Sequence, residues 1–410
     1  MANIALRYCR MNILVLNPGG NSLKIDAIAC GQDQSYAFEA TKLLSVNIEG
    51  IGKEPKLSRL EEKKSVHSEP IEAEDYTSAT ESFLNWYEQA GDMRPKLTQI
   101  GRAAIRVVHG GREFSAPTLI DQTVEKKIIA FEKLAPLHNK SSVEVLVALR
   151  RRLPNVPIYS VFDTAFHRTI PEHAWRYALP PDLADRHQIM RYGFHGISHR
   201  YLLERYAHLV GKPPTKCDVV SLHLESGCSV TAVQAGKSID NTMGLTPLEG
   251  LMMGTRSGDV DPSLIPLLMR EEGMQIDEVM TLLNKKSGLL GVSGESLDTR
   301  ILMKHYKSNR RSKLAMDMFS YRIRKAVGSH LAALGSAEAI IFGGGIGENT
   351  EFVRGYVCEG LLSSGVEIDA EANRNLIDTE GRLSTDTSKI AVWVIPTEEA
   401  MQIAHECCLA

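Results

Sequence analysis

The sequence has no excess of either charge: 47 Lys and Arg stand against 50 Asp and Glu, a net charge of −3. A surface for nucleic acid or anionic membrane needs a basic excess, so neither partner is expected. It has no apolar run long enough to span a bilayer, and Met1 to Arg10 lacks the apolar segment of a signal peptide. Cysteines are few: seven, at Cys9, Cys30, Cys217, Cys228, Cys358, Cys407 and Cys408, odd in number and without metal spacing. A reducing cytoplasm is the expected compartment. No low-complexity linker divides the chain either. What is present is 410 residues, 43% hydrophobic and 24% charged, which suits two domains with cores and excludes a disordered or fibrous protein.

Two stretches read as copies of one device. Ile13 to Ile25 is an apolar strand, a Gly-rich turn through Gly19 and Gly20, and a second strand; Val220 to Val233 repeats that pattern 207 residues on, with Gly20 meeting Gly227 and Ser22 meeting Ser229. Small turn residues let an anion approach backbone N–H groups. Two such halves would leave a cleft holding a phosphate chain from both sides.

Met11 is an alternative start, because the first strand opens just after it. Tyr36 to Asn47 is expected to extend the sheet, and Gly50 to Glu74 reads as a polar surface segment. Helical spacing covers Thr77 to Ala90, Asp121 to Leu134, Asn139 to Leu153, Ser198 to Leu209, Pro262 to Glu272, Gln275 to Lys285 and Ala315 to Gly335. Strands are expected at Ile100 to Val108, Pro157 to Phe162, Ala339 to Phe342 and Ile390 to Ile395, with Thr397 capping the terminal helix. The alternation is an α/β pattern. A hinge near residues 163 to 166 would join the halves, and the tail would cross back.

Asp163 ends a strand, where open α/β sheets place working residues, although a helix cap is the plainer reading. His195 lies between glycines in Arg191-Tyr-Gly-Phe-His-Gly; it is either structural or catalytic. Arg256 is set between glycines in a long loop, where its fork fits a phosphate or carboxylate, or an ion pair with Asp259 or Asp261. Gly343 to Asn349 follows a strand and resembles nucleotide-binding turns generally.

Together, the stretches NPGGNSLK, RVVHGG, LAPLHN, VFDTAFH, RYGFHGISHR, GLTPLEGLMMGTRSGDVDP, NKKSGLLGVSG and GGGIGEN occur in the order found in the acetate kinases. The chain resembles that family, within the acetate and sugar kinase, Hsp70 and actin superfamily, from Met11 to the terminal helix. The resemblance implies an α/β fold of two duplicated RNase H-like (actin-like ATPase) domains with an interdomain active-site cleft. The domains would be 11–164 plus 396–410, and 165–395. It implies a homodimer, ATP as co-substrate and Mg²⁺ as cofactor. The implied reaction is reversible, in-line transfer of the γ-phosphoryl group of ATP to acetate, giving acetyl phosphate and ADP.

By the same resemblance, Arg106 and Arg256 bind the carboxylate and stabilise the phosphoryl group in flight, and His195 is the transition-state histidine. His138 contacts the transferring group, and Asp163 orients an arginine or the water shell of the metal. Asn17 and Glu399 lie near Mg²⁺. Ser22 and Lys24 belong to the first phosphate loop, and His223 and Gly227 to the second. Asp298, Arg300, Gly345, Ile346 and Asn349 fall where adenosine is held. Val108, Leu137, Phe194 and Pro247 form the pocket for the acyl methyl group. Such a pocket rejects an added methylene by only about 1–3 kcal/mol, so propionate should remain usable. Arg106, His195 and Arg256 are expected to line one crevice beside Asp163.

Four departures stand out. Glu225-Ser226 replaces a usual Gly-Asn, Asn-Pro-Gly-Gly replaces Asn-Ala-Gly-Ser, Ile197 replaces threonine, and Glu398 replaces asparagine beside the metal position. Glu225, if turned toward the phosphates, would weaken ATP binding. A propionate or butyrate kinase, and a nucleotide-binding pseudokinase, are the alternatives.

Overall fold

Ile13 to Leu16 are fully buried in consecutive order, as in a strand covered on both faces. In the computed structural model, which describes residues 10–31, 35–61, 64–89, 95–133 and 139–410, this run is the middle of β1 (Arg10–Pro18). The chain separates into two units, Met1–Ala165 with Glu398–Ala410, and Phe166–Thr397.

The first unit holds β1, β2 (Ser22–Gly31), β3 (Thr41–Glu49), β4 (Lys56–Glu61), β5 (Lys64–Pro70), β6 (Ile100–Val107), β7 (Thr118–Leu119) and β8 (Ile158–Phe162). Their order in the sheet is β5-β4-β3-β2-β1-β6-β8-β7. β1 is antiparallel to β2 and parallel to β6, which is parallel to β8. Helices Tyr76–Gln89 and Asn139–Arg152 pack on each other, and the second also on β1 and β6. The terminal helix Glu399–Leu409 packs on β1, β2, β6 and β8. Just beyond β6, Gly111 has φ 60°, and a Cβ there would stand 2.4 Å from the Phe131 ring, so only glycine fits that turn.

The second unit holds β9 (Val219–Leu224), β10 (Cys228–Gln234), β11 (Lys237–Asn241), β12 (Ala339–Gly343), β13 (Gly381–Arg382) and β14 (Ala391–Val394), in the order β11-β10-β9-β12-β14-β13. β9 is antiparallel to β10 and parallel to β12, which is parallel to β14. The run β11-β10-β9-β12-β14 therefore repeats β3-β2-β1-β6-β8 in order and direction. This is the duplication, expressed as topology. Helix Gly196–Leu209 packs on β9 and β12, and helix Arg310–Leu334 on β9 and β10.

Three expectations are corrected. Gly50 to Glu74, expected only as a polar surface segment, contains β4 and β5. Leu57 of β4 is fully buried while nearly all of β5 is exposed; the polar composition is that of a charged sheet edge, which discourages pairing with other chains. Thr397 does not cap the last helix; Glu398 holds that position. The Thr397 N–H and hydroxyl instead donate to Glu348 Oε1 at 2.9 and 3.1 Å, since a carboxylate only 4% exposed needs donors. The two hairpins also differ in register. Pro18 pairs with Leu23 across four turn residues, whereas Leu224 pairs with Cys228 across three, so the 207-residue offset is not the structural equivalence.

Among the described residues, no helix is long and apolar enough to cross a membrane. Cys217, Cys228, Cys358, Cys407 and Cys408 are free and buried, and Cys30 is buried. Burial pushes the Cys228, Cys358 and Cys407 thiols up to about 12, which keeps them protonated and unreactive.

Candidate functional site

In the first unit, four residues far apart in sequence meet at the ends of β1, β6 and β8. Asn17 lies near the end of β1 and Asp163 follows β8, which is where parallel strands deliver side chains to a ligand. The Asn17 amide donates to Glu399 Oε2 at 3.1 Å, and its carbonyl accepts from Arg106 Nη1 at 3.0 Å. Arg106 Nη2 is ion-paired with Asp163 Oδ2. Asp163 is 1% exposed at its side chain and Arg106 14%, so the pair is largely withdrawn from water and each charge stabilises the other. The set Glu399, Asn17 and Asp163 offers oxygen donors without sulfur or imidazole. That suits a hard cation such as Mg²⁺, which takes one or two carboxylates and keeps several waters. Among the described residues, no cage of three or more His, Cys, Asp or Glu exists.

The departure at Glu398 turns away from this set. Its carboxylate pairs with Lys42 Nζ at 2.6 Å, and Lys42 also lies 3.9 Å from Asp26. Burial raises the Asp26 carboxyl above its ordinary value, against the opposing pull of Lys42.

Ser22 and Lys24 stand at the start of β2, with Lys24 the register partner of Asn17. The first turn is tight. Gly19 N–H donates to the Ser22 carbonyl at 2.7 Å, and Tyr76 Oη donates to the Gly19 carbonyl at 2.8 Å. Val108 is buried just past β6. Leu137 and His138 lie outside the described residues.

In the second unit, His195 is the N-cap of helix Gly196–Leu209 with φ 59° and ψ 26°. A non-glycine residue held in the left-handed region costs roughly 1–2 kcal/mol, and such strain gathers at functional positions. The His195 ring lies 4.2 Å from that of His223. A Cβ on Gly227 would stand 3.1 Å from His195 Nε2 and 3.5 Å from Arg256 Nη1. The imidazole and the guanidinium therefore converge on the space above this glycine. Arg256 is anchored by donating to the Pro247 carbonyl at 3.2 Å. Phe194 is buried and Pro247 half-buried.

The five residues expected around adenosine fall into two groups. The Asp298 carboxylate accepts from the Arg300 backbone N–H at 2.8 Å and from its guanidinium at 2.7 Å. The Arg300 hydrogen bond leads the causes that hold this carboxyl below its usual value. Gly345, Ile346 and Asn349 lie in the short helix Gly344–Asn349, where the Asn349 amide donates to the Gly345 carbonyl at 3.0 Å. Among the described residues, no hydrogen bond or ion pair joins the two groups.

Sequence reasoning missed a set of buried serines and histidines behind His195 and His223. Ser198, Ser221, Ser229 and His199 are fully buried, and each is hydrogen-bonded to an imidazole or, for His199, to hydroxyls. A serine inside an apolar strand was the available signal, since burial demands a partner for its hydroxyl.

His167 is fully buried, bonded to Ser238 Oγ at 2.8 Å and donating to the Phe194 carbonyl at 2.9 Å. Burial lowers its pKa from 6.5 to about 4. Between these values the unfolded chain takes up a proton that the folded state refuses. Stability present above pH 6.5 is therefore lost as pH falls toward 4. The full window is worth roughly 3 kcal/mol, and His199, also held neutral by burial, adds in the same direction. Melting temperature followed from about pH 7.5 to about pH 5 should decline, and decline less in His167→Gln. A flat wild-type profile would contradict this account.

The chain matches the Acetokinase family over residues 12–405. It is 43% identical over 408 residues to a protein named acetate kinase from Chloroherpeton thalassium, covering 97% of this chain and 98% of that one. A crystal structure of Porphyromonas gingivalis acetate kinase superposes with a TM-score of 0.88 at 37% identity, covering 98% of this chain and all of that one. A propionate kinase from Francisella tularensis superposes almost as well, with a TM-score of 0.87 at 36% identity over 97% and 98% of the two chains.

Proposed function

Because the chain belongs to the acetokinase family, we infer that it transfers the γ-phosphoryl group of ATP reversibly to acetate, giving acetyl phosphate and ADP. The observation that best supports this is the convergence of His195 Nε2 and Arg256 Nη1 above Gly227.

A carboxylate is already an anionic nucleophile at neutral pH, so the site needs no strong base. The difficulty is bringing two anions together and stabilising the equatorial oxygens of the moving phosphoryl group. In the proposed mechanism Asn17 and Asp163 fix the plane of the Arg106 guanidinium, which presents N–H donors to the acetate carboxylate. His195 and Arg256 donate to the phosphoryl oxygens. Mg²⁺, when bound, would neutralise charge on the nucleotide phosphates, and Asn17, Glu399 and Asp163 are the residues that would hold it or its waters. Lys24, Ser22, His223 and Gly227 are assigned to the nucleotide phosphates, and Asp298, Arg300, Gly345, Ile346 and Asn349 to adenosine. Val108, Leu137, Phe194 and Pro247 are assigned to the methyl group, and His138 to the transferring group. A cytoplasmic homodimer belongs to the same proposal.

The near-equal likeness to a propionate kinase favours propionate as a second acceptor. Hydroxamate trapping of the acyl phosphate, with ATP and acetate, propionate or butyrate, tests the reading. Acetate should give the largest yield and propionate a smaller one. Hydroxamate with none of the three would leave a nucleotide-binding protein without turnover.

The Glu225 carboxylate lies 3.7 Å from His223 Nε2, with its side chain half exposed. It stands beside a residue assigned to the phosphates and competes with them. In the double variant Glu225→Gly, Ser226→Asn, the KM for ATP should fall about tenfold, the equivalent of one phosphate hydrogen bond. An unchanged KM would reject the assignment.

A further inference from the structure

Three hydrogen bonds run in series behind His195. Ser221 Oγ meets His199 Nδ1 at 2.8 Å, His199 Nε2 meets Ser229 Oγ at 2.7 Å, and Ser229 Oγ meets His195 Nδ1 at 2.9 Å. Ser221, His199 and Ser229 are all 0% exposed. A hydroxyl has one hydrogen to give and a neutral imidazole has one N–H. Ser229 could accept from both rings only by burying its own hydrogen without an acceptor, so the favoured series points one of two ways as a whole.

Ser221 decides which. No described atom other than His199 Nδ1 is a hydrogen-bond partner of its hydroxyl. If His199 donated to Ser221, the Ser221 hydrogen would be buried without an acceptor, which is costly. Ser221 therefore donates to His199 Nδ1, His199 donates through Nε2 to Ser229, and Ser229 donates to His195 Nδ1. The single hydrogen of His195 is left on Nε2, the nitrogen that faces the space above Gly227. Protonating His195 would place a hydrogen on Nδ1 as well, and would either strand the Ser229 hydrogen or reverse every bond in the series and strand the Ser221 hydrogen. The series thus resists both the wrong tautomer and the cation. Burial, which holds the His199 pKa well below its usual 6.5, keeps this middle ring neutral and the logic intact. His223 is set in the same way, with Ser198 Oγ at 2.8 Å from its Nδ1 as that hydroxyl's partner.

We propose that Ser221, His199 and Ser229 are positioning residues that fix His195 as a neutral imidazole with its hydrogen on Nε2, so that it donates to the transferring phosphoryl group. The last clause rests on the function proposed above, and the tautomer itself does not. Oxygen atoms of a phosphoryl group only accept, so the opposite tautomer would turn a lone pair toward them.

Nitrogen NMR of the full chain labelled with ¹⁵N-histidine tests both parts, with His195 assigned by the resonance lost in His195→Asn. Wild type should show Nδ1 unprotonated and Nε2 protonated. In Ser221→Ala the bias is removed, so the two His195 nitrogens should move toward the averaged shifts of a tautomer mixture. The kcat should then fall about tenfold, with KM for ATP and acetate held within about twofold. Ser221→Thr, which restores the hydroxyl, should restore both readouts. Ser229→Ala removes the last bond in the series and should give the same mixture, which covers the case of Ser221→Ala failing to fold. A cationic or Nδ1–H His195 in wild type overturns the proposal, as does an unshifted tautomer in the alanine variants. A shifted tautomer with unchanged kcat overturns instead the role given to His195 in transfer, and leaves the series standing.

Discussion

In Asp163→Asn, kcat is expected to fall by roughly 10²- to 10³-fold, the range seen when one preorganised electrostatic contact to a transition state is lost. The side chain keeps its shape and loses its charge. Arg106, 14% exposed against a partner 1% exposed, then loses the carboxylate that pairs with it, and its guanidinium is no longer held between Asn17 and a carboxylate. Breaking a buried pair from one side typically costs 3–5 kcal/mol of stability, so unfolding in urea should shift as well. The loss of activity should nonetheless persist at temperatures well below the melting point. The double variant with Arg106→Ala should be less destabilised than the sum of the two single variants, because each single variant already breaks the pair they share. A kcat within about threefold of wild type, measured on folded enzyme, would remove Asp163 and Arg106 from the chemistry.

Gly227→Ala should separate activity from stability. Gly227 is buried and its backbone does not lie in the left-handed region, so alanine is conformationally allowed there. The added methyl would sit 3.1 Å from His195 Nε2 and 3.5 Å from Arg256 Nη1, in the space where those groups converge. A displacement of about 1 Å at a reacting centre can cost about 10²-fold, so kcat/KM should fall by about that factor. Melting temperature should move by only a few degrees. If activity survives, the space above Gly227 is not where the phosphoryl group passes. The two variants probe different units, so each can fail without the other.

Much of the fold was legible because it rests on apolar runs. Ile13 to Leu16 and Val220 to Leu222 read as strands from short apolar-rich runs, and glycines mark the turns that follow them. The strands β4 and β5 were not legible, because at a charged sheet edge half of each strand, or more, has the composition of a loop. Register escaped for a related reason: one turn residue more or fewer leaves the hydrophobic pattern of both strands intact. Of the candidate site, Asn17, Arg106 and Asp163 stood in motifs, and Glu399 followed only from the family resemblance. Their hydrogen-bonded series spans 382 residues from end to end and exists only in the folded chain. The serines behind His195 gave the weakest signal, since a polar residue in a strand says nothing of which imidazole, 22 to 34 positions away, will take its proton.

The last helix has a consequence for how the molecule comes to exist. Glu399–Leu409 covers β1, β2 and β6, and Glu399 binds Asn17, so the sheet begun by the first strand stays uncovered on that side until residues 399–409 leave the ribosome. The whole of Phe166–Thr397 is synthesised in between. At ordinary translation rates of about 5–20 residues per second, the early sheet waits for ten seconds or more with apolar surface open to solvent. Nascent chains stalled short of residue 399 should therefore be the ones that recruit chaperones, and trimming the terminal helix should harm yield before it harms any single catalytic contact.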